Sequence, residues 1–232
     1  MPKRFPLAKV RCPHNSAIKF KYIATASYAA HIMKYLLTLL CLVSLNCFGQ
    51  DYTAQIAKFR QQYMDDFLTD ASSPLKKDDL QSLRFYDADS SYRVNAKVEV
   101  LQNQAEFTMP VFSGRGQQYA RYAILSFTLK GKPMQLTLYK STALSKLPQY
   151  ADYLFLPLTD DTNGSATYGG GRYIDMRTGD IKGDIAVVDF NKAYNPYCAF
   201  SAGYSCPKPP DENHLEIAVE AGEKNFAGTK KH

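Results

Sequence analysis

The chain has 232 residues, of which 45% are hydrophobic and 22% are charged, as in an ordinary globular protein. This composition excludes a disordered tail protein, a collagen-like chain and a polytopic membrane protein. The formal charge of +6 is unevenly distributed: the first 50 residues hold seven basic and no acidic residues, which leaves 21 basic and 22 acidic residues after them. The near-neutral remainder has no field to attract phosphate backbones, so we expect no nucleic-acid partner.

Residues 33–49 are predicted to be a signal peptide. Lys34 supplies a positive start, and 35–45 form an apolar run of 11 residues that is too short to span a bilayer. Small side chains are expected at positions −3 and −1 of the cleavage site, and Cys47 and Gly49 fit. The mature chain is therefore predicted to begin at Gln50, to be exported to the periplasm or the extracellular space, and to have no stable membrane span.

Two alternatives to cleavage remain open at this stage. A signal anchor would keep the apolar run, although its shortness disfavours that outcome. Lipid attachment at Cys47 needs a small preceding residue, and Asn46 is a poor one. Residues 1–32 are basic and have no clear hydrophobic periodicity, so we interpret them as a non-native extension upstream of a start at Met33. The remaining residues, 50–232, are predicted to form a single domain.

The mature chain opens with a predicted helix over 53–69. Apolar residues recur there at spacings of three and four, which places one apolar stripe along the helix: Ile56, Phe59, Tyr63 and Phe67. The sequence Ser72-Ser73-Pro74 ends the helix, because the residue before a proline is disfavoured in helical geometry. A short second helix is predicted at 76–83.

The rest of the chain is predicted to consist of strands. Alternating apolar and polar residues, β-branched and aromatic content and turn residues indicate strands at 92–100, 104–112, 119–130, 134–139, 153–158, 166–176, 185–190 and 215–219. Gly131-Lys132-Pro133 is the predicted turn of a hairpin. Pro157 is expected to place its strand at a sheet edge or a bulge.

No helices alternate with these strands, which argues against a doubly wound parallel sheet. The predicted fold class is α+β and mainly antiparallel β. We expect a barrel-like or strongly coiled sheet with one or two N-terminal helices packed on it.

The chain lacks the sequence motifs of several common catalytic and binding sites. The chain contains no phosphate-binding P-loop, no H-E-x-x-H, no G-x-S-x-G and no EF-hand loop. We therefore expect no cofactor and no metal.

The most distinctive residues lie between 155 and 224. They read FLPLTDDTNGSATYGGGRYID at 155–175, DFNKAYNPYCAF at 189–200, CPKPPDENHL at 206–215 and AGEK at 221–224. These motifs resemble the domain of unknown function 1684 family, and the resemblance runs from Ser73 to Lys224. It implies one structural unit and no particular reaction.

A candidate anion site is predicted around Arg172. Three glycines at 169–171 precede it, and successive glycine N–H groups can form an anion-binding concavity. The planar guanidinium suits a carboxylate or phosphate. If 177–184 were the turn of a meander, Arg172 would lie opposite Asp189. The alternative is a β-bulge in which Arg172 pairs with Asp189 or Asp175.

Polar residues elsewhere in the motifs complete this predicted site. We expect a concave surface lined by Tyr168, Arg172, Asp189, Asn191 and Asn195, with Glu212 and Asn213 at its rim, binding a small polar or anionic molecule. Equally, short polar side chains can tie down loops through backbone hydrogen bonds. Two other functions stay open: an envelope hydrolase that uses carboxylates such as Asp189, Glu212 or Glu223, and an interaction module without a small-molecule site.

Cys198 and Cys206 are the two cysteines of the predicted mature chain. In an exported protein, two cysteines so close in sequence most simply form a disulfide. A metal site with His214 and a reactive thiol are the alternatives.

Overall fold

A computed structural model describes residues 51–231 of the chain. The predicted upstream extension at 1–32 and the predicted signal peptide at 33–49 lie outside these residues. Within 51–231, no helix combines the length and the hydropathy that a membrane span requires.

The first described element is a helix, α1, over 51–69, which confirms the predicted helix. Side-chain hydrogen bonds one turn apart support its exposed face, from Gln61 to Asp65 and from Gln62 to Asp66. The helix ends where the Asp70 carboxylate accepts hydrogen bonds from the backbone N–H and the hydroxyl of Ser72. Such an Asx turn offers the backbone an alternative to helical bonding.

Eight strands follow, interrupted by short 3-10 helices. The strands are β1 (Arg93–Val100), β2 (Phe107–Met109), β3 (Gln117–Leu129), β4 (Lys132–Ser141), β5 (Tyr153–Asp160), β6 (Arg172–Arg177), β7 (Ile185–Asp189) and β8 (His214–Leu215). The 3-10 helices are Lys77–Ser82, Ser90–Tyr92, Leu144–Lys146, Pro148–Tyr150, Thr178–Asp180, Phe190–Lys192, Tyr197–Ala199 and Asp211–Asn213. The second predicted helix is thus one of the 3-10 helices.

The strands form one sheet in the order β6-β5-β4-β3-β1-β7, with β2 added beside β3 and β8 beside β5. All pairings are antiparallel except that of β5 with β8. Only residues 178–184 join β6 to β7, although these strands lie at opposite ends of the sheet. A link of this length spans at most about 27 Å, so the sheet must curl until its two edges approach. This half-barrel with one long N-terminal helix confirms the predicted fold class.

The topology contradicts the predicted pairing of β6 with β7. Arg172 lies opposite Leu158 on β5, and Asp189 lies opposite Arg93 on β1. The short link between β6 and β7 suggested a hairpin, but it connects two sheet edges instead. The prediction that Arg172 faces Asp189 across a ladder is therefore wrong.

Three predicted strands are shorter than expected. The segment predicted as a strand over 166–176 begins its strand only at Arg172, because the three glycines form a turn before it. The strand predicted over 104–112 is a strand only at 107–109, with one further bridge from Val111 to Pro207, and the last strand is reduced to His214–Leu215. The β3–β4 turn begins one residue earlier than predicted and consists of Lys130 and Gly131, whose positive φ values of 48° and 80° suit a tight hairpin.

Strand β5 lies inside the sheet, so of the two positions predicted for Pro157, an edge or a bulge, the structure overturns the edge. Between β4 and β5 a single pair, Tyr139 with Phe155, keeps register. The Asn213 side chain is inserted between the two strands where their backbones do not pair. Its amide nitrogen donates to the carbonyls of Thr137 and Pro157, and its oxygen accepts from the Thr137 N–H. A side chain thus replaces the ladder bonds next to a residue that has no N–H to give.

Both faces of β5 and of the central part of β4 are buried, and β6 continues the same two faces with Asp175 and Arg177 exposed. One face carries the aliphatic core of the half-barrel, which includes Leu138, Leu156 and Ile174. The other face carries an aromatic cluster built from Tyr119, Tyr139, Phe155 and Tyr173, with Tyr153 and Tyr194 packed against it. Alternation along each strand sends successive residues to opposite faces, which explains why the sequence of β5 is apolar throughout.

Candidate functional site

Arg172, the centre of the predicted anion site, is fully buried and engaged by the protein itself. Its guanidinium donates to Asp160 Oδ2 at 2.7 Å and to the backbone carbonyls of Val219, Ala221 and Glu223. Asp160 in turn accepts from the backbone N–H of Val219. This buried pair therefore holds the C-terminal segment against β5 and β6, and it offers no donor to solvent.

Two of the three glycines beside Arg172 lie so close to other protein atoms that a side chain would not fit. Gly171 has a φ of +87°, and a Cβ built there would lie 2.7 Å from the carbonyl oxygen of Leu158 and 2.6 Å from Pro209. At Gly170, a Cβ would lie 2.5 Å from the ring of Phe112. The glycine motif thus permits close packing of neighbouring loops.

Asp189 and Asn191 form a second, separate network. Asp189 accepts from the hydroxyl of Tyr52 on α1 and from the backbone and side chain of Asn191. Asn191 also bonds both the N–H and the carbonyl of Asp89. The predicted lining residues therefore tie β7 to α1 and to the loop before β1.

Asn195 and Glu223 form a third network, beneath α1. The Glu223 carboxylate accepts from the Tyr63 hydroxyl at 2.9 Å and from the Asn195 N–H at 2.8 Å. Its other oxygen, Oε1, and Asn195 Oδ1 are buried without a donor among the described residues. Burial raises the pKa of Glu223 to about 8, against the lowering effect of these hydrogen bonds.

The remaining predicted residues lie apart from these networks. Glu212 accepts from Arg121 and from the Tyr139 hydroxyl, while its neighbour Asn213 is inserted between β4 and β5. The half-buried Tyr168 packs its ring against Phe112. The structure thus joins Arg172 with Glu223 and Asn195 with Glu223, but it does not bring the predicted residues to one concave surface.

Cys198 and Cys206 are free, buried thiols, and the two residues contact each other. The N–H of Cys198 lies 3.2 Å from Cys206 Sγ, and Cys198 Sγ lies 3.1 Å from the carbonyl of Tyr204. Burial raises the pKa of Cys206 to about 12, which keeps it protonated and argues against a reactive thiolate. The disulfide stays a prediction. Among residues 51–231, no group of three or more His, Cys, Asp or Glu side chains could hold a metal ion.

A pocket of about 520 Å³ lies between α1 and β6, a volume typical of small-molecule sites. We call it the aromatic pocket, because seven of its lining residues are aromatic: Phe59, Tyr63, Phe67, Tyr173, Tyr194, Tyr197 and Tyr204. Its charged lining residues are Asp66, Asp175 and Lys192. The α1 contribution (59, 62, 63, 66 and 67) is one helical face, and Tyr173 and Asp175 share one face of β6.

Asp175 is held in place by the aromatic wall. The hydroxyls of Tyr153 and Tyr194 both donate to its Oδ1, each at 2.7 Å. Its Oδ2 accepts no hydrogen bond from any residue of 51–231, and the side chain is exposed. The surrounding protein nevertheless raises the pKa of Asp175 by burial, with the two hydroxyls opposing this effect. A carboxylate that is open to solvent yet surrounded by protein fits the wall of a concave site.

A known family matches most of the described chain. Residues 78–224 match the family described as "Protein of unknown function (DUF1684)". The chain belongs to the DUF1684 family. No curated protein matches the chain.

One solved structure extends the comparison of this DUF1684 protein to the fold. The chain is similar to an uncharacterized protein from gene locus rrnAC0354 of Haloarcula marismortui, solved by solution NMR. The two are 35% identical with a TM-score of 0.59, and the match covers 76% of this chain and 95% of that one. The DUF1684 match begins at residue 78, so it does not include the α1 wall of the aromatic pocket.

None of the seven residues of the predicted binding site lines this pocket. The apolar stripe of α1 is confirmed, but sequence reasoning assigns its aromatic members to packing alone. The sequence pattern suggests Asp175 only as a pairing partner of Arg172. Two signals were available: Gln62 and Asp66 are polar positions one turn apart on the stripe's side of α1, and Asp175 interrupts the apolar run of β6.

Proposed function

We propose that this DUF1684 protein is an exported binding protein whose site is the aromatic pocket between α1 and β6. The observation that carries the proposal is a cavity of about 520 Å³ whose wall combines seven aromatic rings with one carboxylate oxygen that has no described partner. Binding sites are typically apolar concavities with a few polar groups that orient the ligand. Export rests on the predicted signal peptide at 33–49.

The predicted placement of a ligand at Arg172 and Asp189 has less support than the aromatic pocket. Arg172 is fully buried, and its terminal nitrogens are occupied by Asp160 and three carbonyls. Asp189 is occupied by Tyr52 and Asn191. A ligand there would have to displace contacts that hold the fold together.

The hydrolase alternative also has less support. Its three carboxylates, Asp189, Glu212 and Glu223, belong to three separate hydrogen-bond networks. General acid–base catalysis by a carboxylate pair needs both groups within reach of one substrate bond. Binding without a committed reaction is therefore the function that the geometry favours.

The proposal is tested with three probes that share one ring: benzyl alcohol, benzyltrimethylammonium and benzoate. Each is titrated into isotope-labelled protein that starts at Gln50, and binding is followed by chemical-shift changes. We expect at least one probe to saturate with shifts confined to α1, β6 and the 190–207 segment. Saturation of none of the three, or shifts elsewhere only, would overturn the proposed site.

A pair of helix variants locates the binding. Gln62 and Gln61 are both exposed on α1 and bond an aspartate one turn later, but only Gln62 lines the pocket. Gln62→Trp should fill the pocket mouth and abolish binding, while Gln61→Trp should leave it unchanged. Equal effects of the two substitutions would place the ligand outside the pocket.

A further inference from the structure

The hydrogen-bond state of the pocket wall restricts which ligand it can take. All five tyrosines of the aromatic pocket donate their hydroxyl protons to protein acceptors: Tyr63 to Glu223, Tyr173 to the Pro207 carbonyl, Tyr194 to Asp175, Tyr197 to Asp70 and Tyr204 to the Ser72 carbonyl. The Ser205 hydroxyl donates to the carbonyl of Ser113. A ligand therefore meets ring surfaces and oxygen lone pairs rather than hydroxyl donors.

The charged residues of the pocket lining also restrict which ligand it can take. The lining contains two carboxylates, Asp66 and Asp175, and one cation, Lys192. The Lys192 Nζ lies 5.5 Å from the centroid of the Phe59 ring, within the distance at which a cation is attracted to an aromatic face. Asp175 lines the pocket together with Tyr173, Tyr194 and Tyr63. The Tyr194 ring packs on the other two rings, with centroids 5.7 Å from Tyr63 and 5.9 Å from Tyr173. Carboxylate and aromatic faces together attract positive charge.

Other ligand classes fit this lining less well. An anion would find Lys192 as its one charged partner in the described lining and would be repelled by two carboxylates. A metal ion needs several oxygen, nitrogen or sulfur ligands, and residues 51–231 hold no cluster that could supply them. A cation with an apolar surface instead gains from both the rings and the carboxylate.

We infer that the aromatic pocket is a site for an organic cation, an alkylated or protonated amine whose charge faces Asp175 Oδ2 and whose apolar groups pack on the tyrosine rings. This inference rests on the proposed function. It names the class of ligand that the site takes.

The test compares affinities within the same probe set. Wild-type protein should bind benzyltrimethylammonium about tenfold or more tightly than benzyl alcohol, and benzoate most weakly. Asp175→Asn should abolish the advantage of the cation while leaving benzyl alcohol binding unchanged. Asn can still accept from Tyr153 and Tyr194 through its amide oxygen, so the wall keeps its geometry. Asp65→Asn, on the exposed face of α1, makes the same change in net charge and should alter nothing.

A second variant keeps the inference testable if Asp175→Asn does not fold. It removes a positive charge from the pocket instead of a negative one. Lys192 is exposed, and Lys192→Met removes the competing charge of the rim. It should raise the affinity for benzyltrimethylammonium and lower that for benzoate.

The outcomes separate the two proposals. If benzyl alcohol or benzoate binds in the pocket as tightly as the cation, the pocket is a site but the organic cation is the wrong ligand class. An unchanged cation preference in Asp175→Asn, or a weaker cation affinity in Lys192→Met, would also overturn the inference. Failure of all three probes to bind would instead overturn the proposed function.

Discussion

At the scale of single residues, the polar side chains that looked most like a binding site are mainly replacements for backbone hydrogen bonds. Arg172 satisfies three carbonyls of the C-terminal segment, and Asn213 replaces ladder bonds between β4 and β5. Both side chains are completely buried. Because irregular backbone inside a protein still requires partners, a half-barrel whose C-terminal chain runs over its strands needs such residues.

The role of Asn213 predicts a large loss of stability on its removal. Asn213→Ala leaves the N–H and carbonyl of Thr137 and the carbonyl of Pro157 without their partner. We expect the free energy of unfolding to fall by roughly 2–4 kcal/mol, measured by urea denaturation. Asn95→Ala, at an exposed position of β1, should change it by less than about 0.5 kcal/mol. A small effect at both positions would show that water satisfies these groups equally well.

Glu223 predicts how stability depends on pH. Its pKa rises from an ordinary 4.5 to about 8 in the folded protein, so folding takes up a proton between these values. This proton uptake stabilises the folded protein. The stabilisation is fully present below about pH 4.5 and is lost as the pH rises through about 8. Wild-type protein should therefore lose roughly 3–5 kcal/mol of this contribution across the interval.

Glu223→Gln, which imitates the protonated acid, should remove that pH dependence. Urea denaturation at pH 5 and pH 9 measures it, with Glu99→Gln on the exposed side of β1 as control. The Glu223→Gln variant should be more stable than wild type at the higher pH. Identical pH profiles for wild type and Glu223→Gln would contradict the assignment.

At the scale of elements, α1 does two things with one face. Its stripe packs Phe67 against Tyr197 and Phe200, with ring centroids 5.6 Å apart in both pairs. The same face supplies one wall of the aromatic pocket. Because α1 closes a concave space over β6, the stability of its packing and the existence of the pocket are linked.

Neighbouring residues of α1 test this link. Phe67 is 3% exposed and Leu68 is 50% exposed. Phe67→Ala should lower the free energy of unfolding by roughly 3–5 kcal/mol and weaken probe binding, whereas Leu68→Ala should cost less than about 0.5 kcal/mol and leave binding intact. Hydrogen exchange of the α1 amides measures the docking directly. Equal protection of α1 in the two variants would mean that the stripe does not hold the helix.

At the scale of the whole molecule, the curl of the sheet decides which segments meet. The strands β6 and β7 are neighbours in sequence but occupy opposite edges, so the residues at their ends belong to different networks. Arg172 meets the C-terminal segment, and Asp189 meets α1. Which polar side chains meet is therefore set by how the sheet edges are covered rather than by strand register.

Export is the prediction that belongs to the whole chain. Protein purified from its native host should begin at Gln50, and oxidation of Cys198 and Cys206 should make it two hydrogens lighter than the reduced sequence. Intact-mass analysis before and after reduction measures both. A mass that retains 33–49, or that carries acyl chains on Cys47, would contradict cleavage before Gln50. Full alkylation of both cysteines without reductant would contradict the disulfide.

The sequence by itself determined most of the secondary structure and the class of fold. The stripe of α1, the alternation in β1 and the absence of helices between strands are local patterns, and local backbone preferences respond to them. The family resemblance was likewise carried by contiguous motifs, and the match over 78–224 confirms it.

Only the tertiary structure decided what the polar residues do. The same Asp, Asn and Arg side chains serve a ligand or a buried carbonyl, depending on which segment covers them, and that depends on long-range pairing that no local pattern encodes. Asp175 and the pocket tyrosines come from α1, β6 and the 190–207 segment, so no single motif contains the site. Their convergence follows from the curl of the sheet and the packing of one helix across its aromatic face.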